Sequence, residues 1–382
     1  MSDYVCEELI AEIFGRLPPK SLLRFRSLSK SWCSRIVSPD FICAHASQSR
    51  KILQKILIRH RIFCENGDVE EVCTLHSENR LPLCPTSGYV GITPVDFPSN
   101  HSDIVGSCNG ILCLFDHEIG IILWNPSIRR KLIVPHHPSL RDSSIEDTRV
   151  AVGFGFDPLT DDYKIVRIPY IKYKGATGRS FVYTIKTGAW RKIASPTTQF
   201  SDVKSWACCV NGTLHWVVKC YLTESDHLGH RYIMTFDLRT EVFGKISLPE
   251  PSWETRQLTI IKGSLAVISG ECDNSWIWVR NQHNNVSSWS LFFKLRTLPF
   301  EGGVDKVLQL TTNGDFVFYT YSEGYKVYNP VKRVRSRLAE FKVDSYKVDI
   351  ETYVESFALW NKGTACDGNR PSCSRPNKRS RK

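Results

Sequence analysis

Val210-Asn211-Gly212-Thr213-Leu214-His215-Trp216 reads as a tight turn followed at once by an apolar strand. The Asn-Gly pair suits positive φ, and the strand behind it alternates apolar residues with others. The pattern recurs at Cys108-Asn109-Gly110-Ile111-Leu112-Cys113-Leu114, at Ile261-Lys262-Gly263-Ser264-Leu265-Ala266-Val267 and at Thr312-Asn313-Gly314-Asp315-Phe316-Val317-Phe318. The glycines at 212, 263 and 314 are spaced by 51, and Gly110 lies two such periods before Gly212. The skipped copy is expected near residue 161. There Gly153-Phe154-Gly155-Phe156-Asp157-Pro158 leads through Asp161 into the strand Asp162-Tyr163-Lys164-Ile165-Val166.

A second element follows each start: Leu123-Trp124-Asn125-Pro126-Ser127-Ile128-Arg129-Arg130, Val182–Trp190, Met234–Phe243, Trp278-Val279-Arg280 leading to Trp289–Phe292, and Val327–Arg333. In most copies an apolar strand meets a polar turn and returns as a strand with an aromatic or basic residue. The unit is therefore about four strands per fifty residues, the signature of a kelch-type β-propeller. Five units are clear, and Lys55–Arg59 with Val72–Leu75 offer strands for a sixth. A late strand, Tyr353–Leu359, is expected to complete one blade and join the ends of the ring, which removes open strand edges. Six blades is the estimate, with five or seven left open. Loops vary while strands are held by packing, so selectivity is expected in the polar connections Thr93–Asp103, His136–Thr148, Leu222–Arg231 and Glu271–Asn285. For any one of them, a plain solvated connection outweighs a binding role.

The front of the chain has another texture. Leu9, Ile10, Ile13, Phe14 and Leu17 recur at helical spacing from Glu7, with acids at the positive end of the helix dipole. Pro18-Pro19 ends that helix, and Pro19 opens a second carrying Leu22, Leu23 and Phe25. Ser29 is placed to cap a third helix with Trp32 and Ile36 on its apolar face, and Ser38-Pro39-Asp40-Phe41 starts another that ends near Arg50. So small a module wants a partner or the next domain to pack on. By pattern alone, a mere helical cap weighs about the same. The organisation is α+β and multidomain: helices over 1–48, a propeller over 51–360, and a polar basic tail over 361–382 expected to be disordered.

Composition narrows the class. The 382 residues hold two Met against ten Trp, fourteen Tyr and nineteen Phe, a balance suited to sheets. The start is acidic and no apolar stretch reaches membrane length, so neither a secretory signal nor a membrane span is expected. The fourteen Cys then read as reduced thiols of the cytoplasm or nucleus, and the sequons at Asn100, Asn211 and Asn285 lose their meaning. The net charge of +11 gathers at the two ends, which suits an acidic protein partner in front better than nucleic acid. At the back, Arg375–Lys382 reads equally as a nuclear-import cluster or as a solvating end.

Several segments carry a resemblance. Glu8-Leu9-Ile10, Glu12-Ile13, Arg16-Leu17-Pro18, Lys20–Arg26, Ser29-Lys30-Ser31-Trp32 and Ser38-Pro39-Asp40-Phe41 resemble a plant F-box in order and spacing. The chain has Val5-Cys6 where many F-boxes have Leu-Pro. Gly106–Cys113, Trp124-Asn125-Pro126-Ser127, Gly153–Pro158 with Asp162–Val166, and Asn211–Trp216 resemble the plant F-box-associated domain, and the whole is similar to S-locus-type F-box proteins and their relatives. The resemblance implies a substrate-recognition subunit of a ubiquitin ligase, possessing no catalysis of its own and acting in self-incompatibility or another pathway. Its F-box would bind a Skp adaptor, and through it cullin and RING subunits, while the propeller holds a target protein. Leu9, Ile10, Ile13, Leu17, Pro18, Leu22 and Phe25 match the apolar adaptor contact, Arg24, Arg26 and Lys30 would face acids, and Trp32 would be core.

An enzyme reading finds no phosphate loop, zinc-protease helix, nucleophile elbow or Cys-x-x-Cys pair. Cys108, Cys113, Cys208 and Cys209 lack zinc spacing and read as buried hydrophobes, His136-His137 as solvated loop, and His215 as structural. Neither a cofactor nor a metal is expected. The competing class is a basic nuclear module, working through protein contacts or nucleic acid rather than ubiquitin.

Overall fold

The computed structural model describes residues 6–27, 29–52, 54–63, 69–77, 93–95, 97–98, 102–116, 118–136, 148–171, 179–197, 200–203, 206–221, 229–250, 255–270, 276–283, 286–294, 306–310, 315–320, 324–329, 334–337, 345–361 and 364–365. Four helices come first: α1 (Glu7–Gly15), α2 (Pro19–Phe25), α3 (Lys30–Ile36) and α4 (Pro39–Ile52). Cys6 stands at the N-cap position of α1 without a side-chain capping bond, at φ −64°, the value a proline would hold there. Pro19 occupies the first turn of α2. The Ser29 hydroxyl accepts the Trp32 amide at 3.1 Å, and Ser38 accepts that of Phe41 at 3.3 Å. Helix α4 continues to Ile52, and the first strand begins at Gln54.

The strands form six sheets in chain order. The first holds Gln54–Phe63, Val69–Ser77 and Thr93–Pro94, with Ser345–Val354 added beside Gln54–Phe63. The second holds Asp103–Cys108, Ile111–Asp116, Gly120–Asn125 and Arg130–Ile133, and the third Thr148–Asp157, Asp162–Ile171, Ser180–Thr184 and Ala189–Ile193. In the fourth, Asp202–Val203 and Cys208–Val210 both pair with Thr213–Cys220, followed by His230–Asp237 and Phe243–Ile246. The fifth comprises Thr255–Ile261, Ser264–Ser269, Trp276–His283 and Val286–Lys294, and the sixth Lys306–Leu310, Phe316–Thr320, Gly324–Asn329 and Val334–Arg337. Each is an antiparallel meander, and the innermost strands of successive sheets touch around a β-propeller.

Ser345–Val354 closes the ring by lying between Lys306–Leu310 and Asp103–Cys108. The closing strand thus shares only Tyr353 and Val354 with the expected strand Tyr353–Leu359. Beyond Val354 the chain leaves the sheet because Phe357 turns towards the helices and is 1% exposed there. Thr364–Ala365, expected in the tail, pairs instead with Arg130–Lys131 at the outside of the second blade. The rest of the tail, including Arg375–Lys382, lies outside the described residues.

The turn pairs behave as their chemistry requires. Asn109-Gly110, Asn211-Gly212 and Lys262-Gly263 all have positive φ at both residues and join the first two strands of their blades. A side chain on Gly110 would also collide with Ser356 and the Val354 carbonyl, so glycine is doubly required. Asn313-Gly314 lies outside the described residues, although the strand after it begins at Phe316 as its pattern implies. In the copy without a glycine, Asp161 takes φ 50° between Asp157 and Asp162. The third and fourth strands are joined by turns with Arg129, Gly188 or Glu241 in the left-handed region.

These short turns and the helices share one face of the ring, since Ile128 and Phe357 pack into the helical core. The strands bounding the longer connections, such as 134–147 and 221–229, end on the opposite face. Two of the expected polar connections shrink: Thr93–Pro94 is an outer strand, and Glu271–Asn285 contains the strand Trp276–His283. Backbone pairing with neighbouring strands takes up both segments despite their polar composition. Residues 138–147 and 222–228 lie outside the described residues.

Blades are tied by buried chemistry as well as by apolar packing. The Lys164 ammonium, on the second strand of the third blade, donates to Asp157 at 3.0 Å, Glu241 at 3.1 Å and the Leu238 carbonyl at 2.6 Å. Leu238 and Glu241 belong to the fourth blade, and Arg191 also pairs with Glu241. Burial pushes the Asp157 carboxyl up, but bonds from Thr160, Lys164 and the Leu159 amide outweigh it and leave the group below its usual value.

Candidate functional site

Helices α1 to α3 build their core around Phe14, Leu22 and Ile36, and complete it with Ile128 and Phe357 from the propeller. Phe14 stacks on Phe25 at 5.3 Å and meets Trp32 at 4.7 Å, so Trp32 is part of the core. His45 of α4 bonds through Nε2 to the Leu17 carbonyl at 2.9 Å. A carbonyl only accepts, so Nε2 carries the proton and Nδ1 accepts from Ser49 at 3.1 Å. The ring also meets Phe357 edge-on at 5.2 Å. Burial holds the His45 pKa below normal, opposed by the Leu17 bond. Trp360 receives the guanidiniums of Arg26 at 4.6 Å and Arg130 at 5.0 Å. The helices are therefore seated on the ring.

That seating sorts the residues expected to contact an adaptor. Leu9 and Ile13, one turn apart on α1, are each 52% exposed. Glu12 and Arg16 pair at 2.6 Å on the same helix. Ile10, Leu17, Pro18 and Phe25 are half-buried, while Arg24 and Lys30 are exposed. Two expectations need correction. Leu22 is fully buried between Phe14 and Ile36 and is core rather than contact. Arg26 turns back to stack on Trp360 and to reach the Cys33 sulfur at 3.5 Å, so it braces the seat instead of facing outwards. What remains on the surface is the apolar pair Leu9 and Ile13 on α1, with Arg24 and Lys30 exposed on the helices that follow.

Ile128, Arg130, Phe357 and Trp360 were missed as members of this site. Their signal was a large apolar residue inside a polar turn, as at Pro126-Ser127-Ile128, where solvent alone gives no reason for one.

His215 is buried, bonds through Nδ1 to the Cys208 carbonyl at 3.2 Å, and has its pKa lowered to about 4 by desolvation. Burial raises the Cys113 and Cys208 thiols, and Cys209 to about 11, which keeps them protonated. Among the described residues no three His, Cys, Asp or Glu side chains group to hold a metal ion, and no helix is long and apolar enough to cross a membrane. His136 is exposed beside Gly120, while His137 is outside the described residues.

Comparison with known proteins agrees with both halves of this architecture. The family model for the F-box domain matches residues 5–43, and that for the F-box associated beta propeller domain matches residues 63–354. The chain is 26% identical over 381 residues to F-box protein At3g07870 of Arabidopsis thaliana, covering 88% of this chain and 86% of that protein. It is 25% identical over 317 residues to F-box protein CPR1, with coverage of 76% and 72%. It is 27% identical over 330 residues to F-box/kelch-repeat protein At3g23880, with coverage of 84% and 86%, both again from Arabidopsis thaliana. The chain belongs to the plant F-box proteins that carry an F-box associated β-propeller domain.

Proposed function

We propose that this chain is the target-recognition subunit of a Skp–cullin–F-box ubiquitin ligase and performs no catalysis itself. The observation that carries the reading is the pair Leu9 and Ile13, half out of the protein on a helix whose other face is locked to the ring. Burying that ridge would supply the apolar contact to a Skp adaptor, with Arg24 and Lys30 meeting acids at its edge. Cullin and RING subunits would follow through the adaptor. The target would sit on the propeller face away from the helices, where the longer connections emerge. Free thiols at Cys6, Cys33, Cys43, Cys113, Cys208, Cys209 and Cys220 suit the reducing cytoplasm or nucleus as the place of action.

The test is co-precipitation of a Skp adaptor by the full chain and by a Leu9→Asp, Ile13→Asp double variant. The expected result is a loss on the order of tenfold or more in adaptor affinity with an unchanged melting temperature. Equal capture by the double variant would refute the reading.

A further inference from the structure

Between the fourth and fifth blades, on the face that carries the helices, lies a cleft of about 790 Å³. Its walls carry Thr213, His215 and Thr235 from the fourth blade, and Ser264, Arg280 and Asn281 from the fifth. The volume suits a small organic molecule, and convergent hydroxyl, amide and guanidinium groups suit a polar one.

The neighbouring junction shows what this one lacks. His215 and Lys164 hold equivalent places, each on the second strand of its blade and close behind the first turn. Between the third and fourth blades, Lys164 is met by Asp157 and Glu241, so its charge is neutralised within the chain. Between the fourth and fifth, the cation is Arg280, contributed by the next blade. Its Nε is buried with no hydrogen-bond partner, and burial is the sole influence lowering its pKa. Arg280 has no ion-pair partner among the described residues. The acid in the cleft, Asp237, accepts the Arg239 amide at 2.9 Å and the Thr240 amide at 2.7 Å through Oδ1 and keeps its charge, which any anion bound at Arg280 must tolerate. His215 is neutral near pH 7 and leaves the positive charge to Arg280.

A second observation concerns shape. A Cβ placed on Gly244, in the cleft wall, would stand 2.7 Å from the Thr235 hydroxyl. Any side chain there would intrude on the cleft. A guanidinium left with a buried donor costs free energy unless something accepts from it.

We propose that this cleft binds a small oxyanion-bearing molecule, its phosphate or carboxylate held by Arg280 and its hydroxyls by Thr213, Thr235 and Ser264. None of the cleft's lining residues belongs to the α1 ridge.

The full chain is titrated with inorganic phosphate and, separately, with acetate, against chloride at matched ionic strength, reading heat and melting temperature. Two variants probe the cleft, Arg280→Gln and Gly244→Val, and Lys192→Gln controls for loss of surface charge. Saturable binding of either anion is expected, about tenfold weaker in Arg280→Gln and lost in Gly244→Val, with Lys192→Gln unchanged. Preference between the anions identifies the acid group. No saturable binding of either anion overturns the proposal, as does equal binding by Arg280→Gln. Melting temperatures without anion confirm that each variant is folded; if Arg280→Gln is not, Gly244→Val decides alone, and undiminished binding by it overturns the site.

Discussion

The third and fourth blades fill their shared core from their own strands and links, with Val166, Val182, Trp216, Met234 and Phe236 meeting between two sheets. The helical module does otherwise: Phe14, Leu22 and Ile36 find their remaining neighbours in Ile128 and Phe357, more than ninety residues away in sequence. Four helices bury too little area to stand firmly alone. The cores between the blades hold no helix residue, whereas the helical core is completed by residues of the ring. Helix α4 is followed at Gln54 by a strand of the first blade, and α1 shares its core with Ile128 and Phe357 of the ring.

The severest way to break this contrast is Phe357→Ala, which removes the ring's main contribution to the helical core and is expected to cost about 4 kcal/mol there. Hydrogen exchange should speed in α1 to α3 and remain slow in the third blade. Equal loosening of both would end the distinction. Next comes Lys164→Ala, which strands Asp157 and leaves Glu241 with Arg191 alone; the expected loss is about 3 kcal/mol, seen as a lower denaturant midpoint of the ring.

Acid offers a graded test. His76 and His215 have folded pKa values of about 4 against an ordinary 6.5, both lowered chiefly by desolvation. The unfolded chain binds more protons between those values, so their contribution is whole above about 6.5 and declines as pH falls towards 4. At pH 5 each ring should have cost the fold about 2 kcal/mol, measurable as a falling unfolding free energy. His45 is lowered in the same direction within the helical seat, so helices and ring should both weaken in acid. A stability flat from pH 7 to 5 would contradict the burial of these rings. The mildest change is Ser29→Ala, which removes the α3 cap and should cost about 1 kcal/mol, confined by hydrogen exchange to the helices.

Much of this was legible because local chemistry fixed it. The Asn-Gly pairs announced turns that need positive φ, and Pro18-Pro19, Ser29 and Ser38 marked helix ends with their own backbone demands. The strand after Asp161 was found by counting alone, since the period survives where the glycine does not. Less legible was which face of α2 points inward. Leu22 and Arg26 differ from their neighbours only by what lies beneath them, and Trp360 and Phe357 come from the far end of the chain.

From its residues alone the chain determined its repeat, its turn geometry, its helix boundaries and the kinship of its front end, because each depends on neighbours a few positions away. Tertiary structure decided where Ser345–Val354 closes the ring, which cations turn inward, and that Lys164 is neutralised at one junction while, among the described residues, Arg280 forms no ion pair at the next. These depend on what stands opposite across a junction. A period can place the strand that carries a charge, but the partner of that charge belongs to the packed ring.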